Sequence, residues 1–226
     1  FSPDGRRALS GSHDGTVQLW RSTGLLRRAL RHVDAFIAPS RFTREKHLEL
    51  GLAVDAPIVH IPIFLPLPSP VPADDSRPHE RPYFLFAGRL ERNKGAHVLA
   101  EEFRTYDSAD LLIAGRGQDA AWLRELAGGV SNVRFLGAVP YSELERFIRH
   151  AIAVVVPSVG FEVFPTVVLE AFAQGTPVIG HRLGPLPEML EGLGGVTYAA
   201  RSELRAWLQV LRAGPQGGGS LGGVAR

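Results

Sequence analysis

Residues 83–212 predict a doubly wound α/β domain on a parallel sheet, and three observations carry that prediction. Short apolar stretches alternate regularly with segments of helical character. The stretches are continuous apolar runs, such as Tyr83–Ala87 and Ile152–Val156, as in strands covered on both faces. The residues with chemical potential, Arg89, Lys94, Gly117, Val139 and Glu162, all follow strand ends, where such a sheet places its ligand crevice.

Taken in order, the expected strands are Tyr83–Ala87, Leu111–Ala114, Val133–Leu136, Ile152–Val156, Pro177–Gly180 and Gly195–Tyr198. The expected helices are Ala96–Arg104, Asp119–Leu126, Glu143–His150, Pro165–Gln174, Pro187–Leu190 and Glu203–Leu211. Ser142 and Glu145 have the spacing of a capping box for the third helix. Pro165 suits a first helical position, where its missing N–H is not needed, and puts Glu170 about two turns in. Gly175 closes that helix and Pro177 starts the next strand.

Outside this unit the composition changes. Residues 1–24 hold turn signals at Pro3-Asp4-Gly5 and Asp14-Gly15 around short alternating segments, the pattern of a β-hairpin. Within residues 25–66, Leu25–Arg31 reads as a short basic helix and Ala35–Ala38 as a strand. Ser40 reads as the cap of a helix ending at Gly51, and Ile58–Pro62 as another strand. Residues 67–82 are proline-rich, a semi-extended linker. Residues 213–226 are glycine-rich and read as a disordered tail.

The chain of 226 residues has a formal net charge of +2 and scattered basic residues, which gives no footprint for nucleic acid. It has no cysteine, which excludes a disulfide framework and thiolate metal sites. No apolar run has the length of a membrane span, and no signal-peptide pattern follows Phe1, so cytoplasm is the expected location. Peripheral membrane contact stays open. The eight histidines lack metal-ligand spacing, and His60, His97 and His181 read as structural or surface residues. Of the 25 basic residues only Lys46 and Lys94 are lysine, so a lysine inside Gly-Arg-Leu-x-x-x-Lys-Gly draws notice as a compact charge for a phosphate oxygen.

Two carboxylates, Glu162 and Glu170, lie eight positions apart across the strand–helix junction after Ile152–Val156. Carboxylates so placed accept hydrogen bonds from sugar and ribose hydroxyls. From spacing alone, a solvated helix residue and a cap explain them equally well.

Phe161-Glu162-x-Phe164-Pro165-x-x-x-x-Glu170-Ala-x-Ala-x-Gly-Thr-Pro-Val-Ile resembles the donor-site signature of the retaining family 4 glycosyltransferases, enzymes with two Rossmann-like domains in the GT-B fold. Phe86-Ala-Gly-Arg89-Leu-x-x-x-Lys94-Gly95 resembles that family's phosphate loop. Leu112-Ile-Ala-Gly-x-Gly117 and Asn132-Val-Arg-Phe-Leu-Gly137-x-Val139-Pro resemble its next two strand–loop units. Residues 1–20 resemble part of a WD repeat.

The resemblance implies that residues 83–212 are the nucleotide-sugar-binding domain, the C-terminal half of a GT-B fold, and that 25–66 are a fragment of the N-terminal acceptor domain. It implies transfer of a sugar from a nucleotide-diphosphate sugar to an acceptor hydroxyl with retention, without a cofactor or an obligatory metal. Arg89 and Lys94 would neutralise the diphosphate. Glu162, with Val163 and Phe164, would contact the donor sugar, Glu170 the ribose, and the backbone at Gly137–Val139 the base. Where the family often has Gly, Pro165 removes one backbone donor. The chain alone is expected to be inactive, for want of an acceptor half. A non-enzymatic nucleotide-sugar-binding or interaction module is the alternative. A third reading, an NAD-dependent enzyme suggested by Gly115-x-Gly117-x-x-Ala120, lacks the acidic residue at the end of the following strand.

Overall fold

The structure is a computed structural model that describes residues 32–49, 56–65 and 75–214, with the backbone of two further strands at 7–11 and 17–21. Those two, β1 (Arg7–Gly11) and β2 (Val17–Arg21), pair antiparallel with Gly11 opposite Val17. The short helix expected at 25–31, most of the linker at 66–74 and the tail beyond 214 lie outside the described residues.

The chain then forms a small parallel pair, β3 (Phe36–Ala38) with β4 (Ile58–His60), connected through helix α1 (Arg41–Glu49). Ser40 caps α1 as its position predicts: the Thr43 N–H donates to Ser40 Oγ at 3.0 Å.

Residues 83–213 build the main unit. Its strands are β5 (Tyr83–Ala87), β6 (Asp110–Ala114), β7 (Val133–Gly137), β8 (Val154–Val156), β9 (Val178–His181) and β10 (Val196–Tyr198). All are parallel, in the order β10-β9-β8-β5-β6-β7. The order reverses between β5 and β8, the topological switch point at which doubly wound sheets bind ligands. The helices are α2 (Ala96–Glu102), α3 (Ala120–Leu126), α4 (Tyr141–Arg149), α5 (Thr166–Ala173), α6 (Leu186–Leu190) and α7 (Arg201–Ala213). A single 3₁₀ turn, Arg92–Lys94, joins β5 to α2.

The apolar strands serve both faces, as their continuous runs require. Phe84, Phe86, Leu111 and Ile113 point into one core with Leu99, Phe103, Leu204 and Trp207. Their alternates Tyr83, Leu85 and Leu112 point into the other with Ile148, Val168 and Leu186. β6 and β7 pair in register from Leu111–Val133 to Ile113–Phe135, then slip so that Ala114 faces Gly137; β7 carries one extra residue at that point. Such bulges bend a strand and re-aim the residues after it.

The expected strands all occur, with ends shifted by a residue or two. Two local expectations are corrected. The Ser142–Glu145 capping box does not form: α4 begins earlier because Pro140, with φ −55°, stands at the N-cap, and its carbonyl accepts from Glu143 and Leu144. Ser142 is thereby inside the first turn and Glu145 is buried. Pro165 is the N-cap of α5, not its first residue, which makes Glu170 the fifth helical residue and not two turns in. The proline-rich stretch is held from residue 75 onward: Asp75 accepts from Arg149 at 2.5 Å, and Ser76 O accepts from Arg146 at 2.7 Å.

Candidate functional site

The loops after β5 and β8 meet over the switch point because Gly95 allows it. Gly95 has φ 75°, and a Cβ there would stand 1.9 Å from the Pro157 carbonyl oxygen, so the backbones touch where a side chain would fit nowhere. The loop after β6 approaches just as closely: a Cβ on Gly115 would stand 1.8 Å from Gly88 O. Leu90 N–H donates to Arg116 O and Asp119 N–H to Leu90 O, lacing those two loops together.

This packing brings Lys94, at the end of the 3₁₀ turn, against Glu162 of the β8 loop. Lys94 Nζ lies 2.8 and 2.6 Å from the two carboxylate oxygens. The Ser158 hydroxyl donates to Glu162 Oε1 at 2.6 Å. The Ser158 carbonyl in turn accepts from His181 Nδ1 at 2.8 Å; a carbonyl only accepts, so Nδ1 carries the proton. The pair is largely sequestered, with side chains 21% and 11% exposed.

At the ends of β5 and β6 is a pocket of about 380 Å³, within the range of small-molecule sites. Arg89, Arg116, Ala138, Val139, Thr166 and Glu170 are among the residues that line it. The Arg89 side chain is 67% exposed and bonds Glu91 at 2.6 Å, so a ligand can recruit it from a surface contact. Burial raises the Glu170 carboxyl above its ordinary range; a hydrogen bond from Thr166 opposes this, and the nearby Glu145 charge adds to it. A carboxylate kept in a pocket at a cost is what a binding site presents to an incoming hydroxyl.

Of the residues expected from the sequence, Arg89, Val139 and Glu170 share the pocket, and Lys94 and Glu162 form an ion pair outside its lining. Gly137 sits at the bulge, and the Gly115 N–H donates to its carbonyl at 2.7 Å. The Val163 side chain is exposed, and Phe164 packs on the core around Val168. Sequence reasoning misses Arg116, Thr166, Ser158 and His181 as site residues. Arg116 stands between the two glycines of a loop whose glycines draw the attention. Thr166 lies one turn before Glu170, a spacing that pairs helix side chains. Nothing local marks Ser158 or His181, since they matter only once β8 and β9 are adjacent. Among the described residues no cluster of three or more His, Cys, Asp or Glu could hold a metal ion.

The fold, a doubly wound sheet with its crevice at the strand ends, is that of a GT-B-like domain. Residues 81–212 match the family described as glycosyl transferases group 1, and the chain belongs to that family. Among curated proteins it is 38% identical over 125 residues to a glycogen synthase of Mycobacterium tuberculosis, covering 52% of this chain and 30% of that one. It is 34% identical over 175 residues to a phosphatidyl-myo-inositol mannosyltransferase of Mycolicibacterium smegmatis, covering 74% and 44%. The chain thus spans less than half the length of these relatives. Among solved structures, sucrose-phosphate synthase of Thermosynechococcus elongatus superposes with a TM-score of 0.71 at 25% identity, over 84% of this chain and 52% of that one. Anabaena HepE in complex with UDP-glucose superposes at 0.69 and 20% identity, over 81% and 55%, a likeness of fold.

Proposed function

We propose that this chain supplies the donor-binding half of a retaining family 4 glycosyltransferase, holding a nucleotide-diphosphate sugar at the β5/β8 switch point. The observation that carries the reading is one pocket lined by both a recruitable cation, Arg89, and a half-buried carboxylate with a raised pKa, Glu170. Arg89 meets the diphosphate, Glu170 the ribose hydroxyls, and the backbone after β7 the base. Lys94 is poised between Glu162 and a phosphate oxygen. As Lys94 turns to the phosphate, Glu162 is released to accept from donor-sugar hydroxyls. Cations around the diphosphate stabilise the charge that develops on the departing nucleoside diphosphate, the main electrostatic task of glycosyl transfer. No metal is required in this scheme. The kinship with a glycogen synthase and a mannosyltransferase supports the reading, as does the likeness of fold to HepE, which holds UDP-glucose.

Calorimetry with UDP, GDP and ADP tests it. At least one is expected to bind, and Arg89→Ala is expected to weaken it by roughly 1.5–3 kcal/mol, the worth of a charged hydrogen bond. Three flat titrations on folded protein would sink the proposal. The same pocket also fits a binding module without turnover. Approximation and closure contribute on the order of 7–11 kcal/mol to a two-substrate reaction, and this chain spans less than half of its relatives. The 226 residues alone are therefore expected to bind donor with little transfer, and multiple-turnover transfer by the purified chain would overturn that expectation.

A further inference from the structure

We infer that helix α1, which precedes the proline-rich stretch, is a latch for the loop that carries Glu162, with Thr43 and Ser40 as its positioning residues. Both are buried, 8% and 1% exposed, although they lie on a segment separated in sequence from the main unit. Thr43 Oγ1 and Ser40 Oγ each stand 3.2 Å from the Val163 carbonyl oxygen, one residue past Glu162. Ser40 Oγ accepts the Thr43 N–H and lies 2.7 Å from Thr43 Oγ1, so one hydroxyl donates to the other and the second donates to Val163 O. This is one directed chain from a helix cap to the site loop, and each bond polarises the next.

Two contacts flank it. Glu188 of α6 accepts the Arg41 and Phe42 N–H groups, at 3.2 Å each, which otherwise lack partners in the first turn of α1. The Phe42 ring meets the Phe161 ring at 5.1 Å, on the residue before Glu162. The loop is thus gripped on both sides of Glu162 by α1. From beneath, Asn93 O accepts from Val159 and Gly160, and His181 holds Ser158. Neither Thr43 nor Ser40 lines the pocket; they act on Glu162 through the Val163 peptide. Moving α1 therefore moves the sugar end of the site and leaves the nucleotide end where it is. For the ligand this inference rests on the donor-site reading; for the contact itself it does not.

The test uses the whole chain. Thr43→Val keeps the side-chain shape and removes the donated proton; Ser40→Ala with Thr43→Val also removes the proton that could replace it. The first readout needs no ligand. Amide exchange at Val159, Gly160 and the rest of 158–164 is expected to quicken, by about tenfold in the double variant, with Val154–Val156 unchanged. The second readout compares UDP with UDP-glucose and GDP with GDP-mannose. Nucleotide affinity is expected to stay within about twofold, and the extra affinity of the sugar-bearing ligand to fall by about fivefold. Unchanged loop exchange in the double variant overturns the latch, whatever binds. Faster exchange throughout the sheet overturns it too, because α1 would then be a general support. Equal losses for nucleotide and nucleotide sugar overturn the positioning role. If no nucleotide binds the unaltered chain, the donor-site reading fails, and exchange alone decides whether α1 holds the loop.

Discussion

Glu162 and Glu170 come from one strand–loop–helix unit and stand in opposite situations. Glu162 is saturated: a lysine on both oxygens, a serine hydroxyl on one, and a loop held by α1 and His181. Glu170 is starved: half-buried, aided by Thr166, facing the Glu145 charge, and pushed toward the protonated form. Under the proposed function, the first is a group whose lysine partner must leave before it can act, and the second a group whose strain a ligand would relieve. A charge can be neutralised in advance or left uncompensated, and this crevice holds one carboxylate of each kind within eight positions of chain.

The largest expected effect breaks the arrangement that makes both states possible. Gly95→Ala forces a left-handed φ on a residue with a side chain and drives its Cβ into Pro157 O. A loss of about 3 kcal/mol in unfolding free energy, or failure to fold, is expected from strain and overpacking together. Denaturant titration that shows the variant as stable as the parent would mean that the two loops separate freely, and the contrast between the glutamates would lose its frame.

Glu170→Gln sharpens the contrast because its two consequences have opposite signs. Nucleotide and nucleotide-sugar affinity are both expected to fall by roughly 1.5–3 kcal/mol, through loss of a charged acceptor. The unliganded chain is expected to gain stability at neutral pH. A carboxyl whose folded pKa is raised contributes stability below its unfolded pKa and loses it as pH rises through the folded value. Removing it removes that loss, so the gain seen by calorimetric melting at neutral pH should vanish in acid. A variant that is weaker in both respects would show that Glu170 is well partnered after all.

Glu162→Gln is expected to weaken the nucleotide sugar more than the free nucleotide and to lower stability modestly, since Lys94 loses its partner in a sequestered place. Equal weakening of both ligands would return Glu162 to a purely structural role. The smallest effect is one of pH. Nucleotide affinity should decline on acidification from a higher pH than an ordinary exposed glutamate would give, because the Glu170 carboxyl is raised and its neutral form accepts less well. Isothermal titrations across the acid range that stay flat until the ordinary carboxylate range would contradict this.

The sheet is legible in the sequence because its strands are apolar on both faces and need no partner to be recognised: Tyr83–Ala87 has the same ends in the sequence pattern and in the structure. The positions of Arg89, Lys94 and Glu162 after strand ends are legible too, since strand ends imply a crevice, while Glu170 lies inside α5. Their mutual arrangement is not. Lys94 and Glu162 are 68 residues apart, and only the reversal of strand order brings them together. Thr43 and Val163 are 120 apart, so a helix that reads as a fragment gives no sign of gripping the site. The capping box at Ser142 fails for a local reason, because Pro140 sets the start of the helix before the serine can.

The extra residue in β7 has a consequence for how the pocket could be redesigned. Because four residues of β6 are matched by five of β7, the wall formed by Ala138 and Val139 is set by a difference in length and not by any one side chain. Exchanging the side chains of Ala138 and Val139 repaints that wall in place. Deleting one residue there would instead draw the wall back by about one strand step, roughly 3.3 Å, and an insertion would push it forward. Chains that differ here by a single codon gained or lost would thus offer differently sized berths to whatever lies against Val139, on an otherwise unaltered sheet.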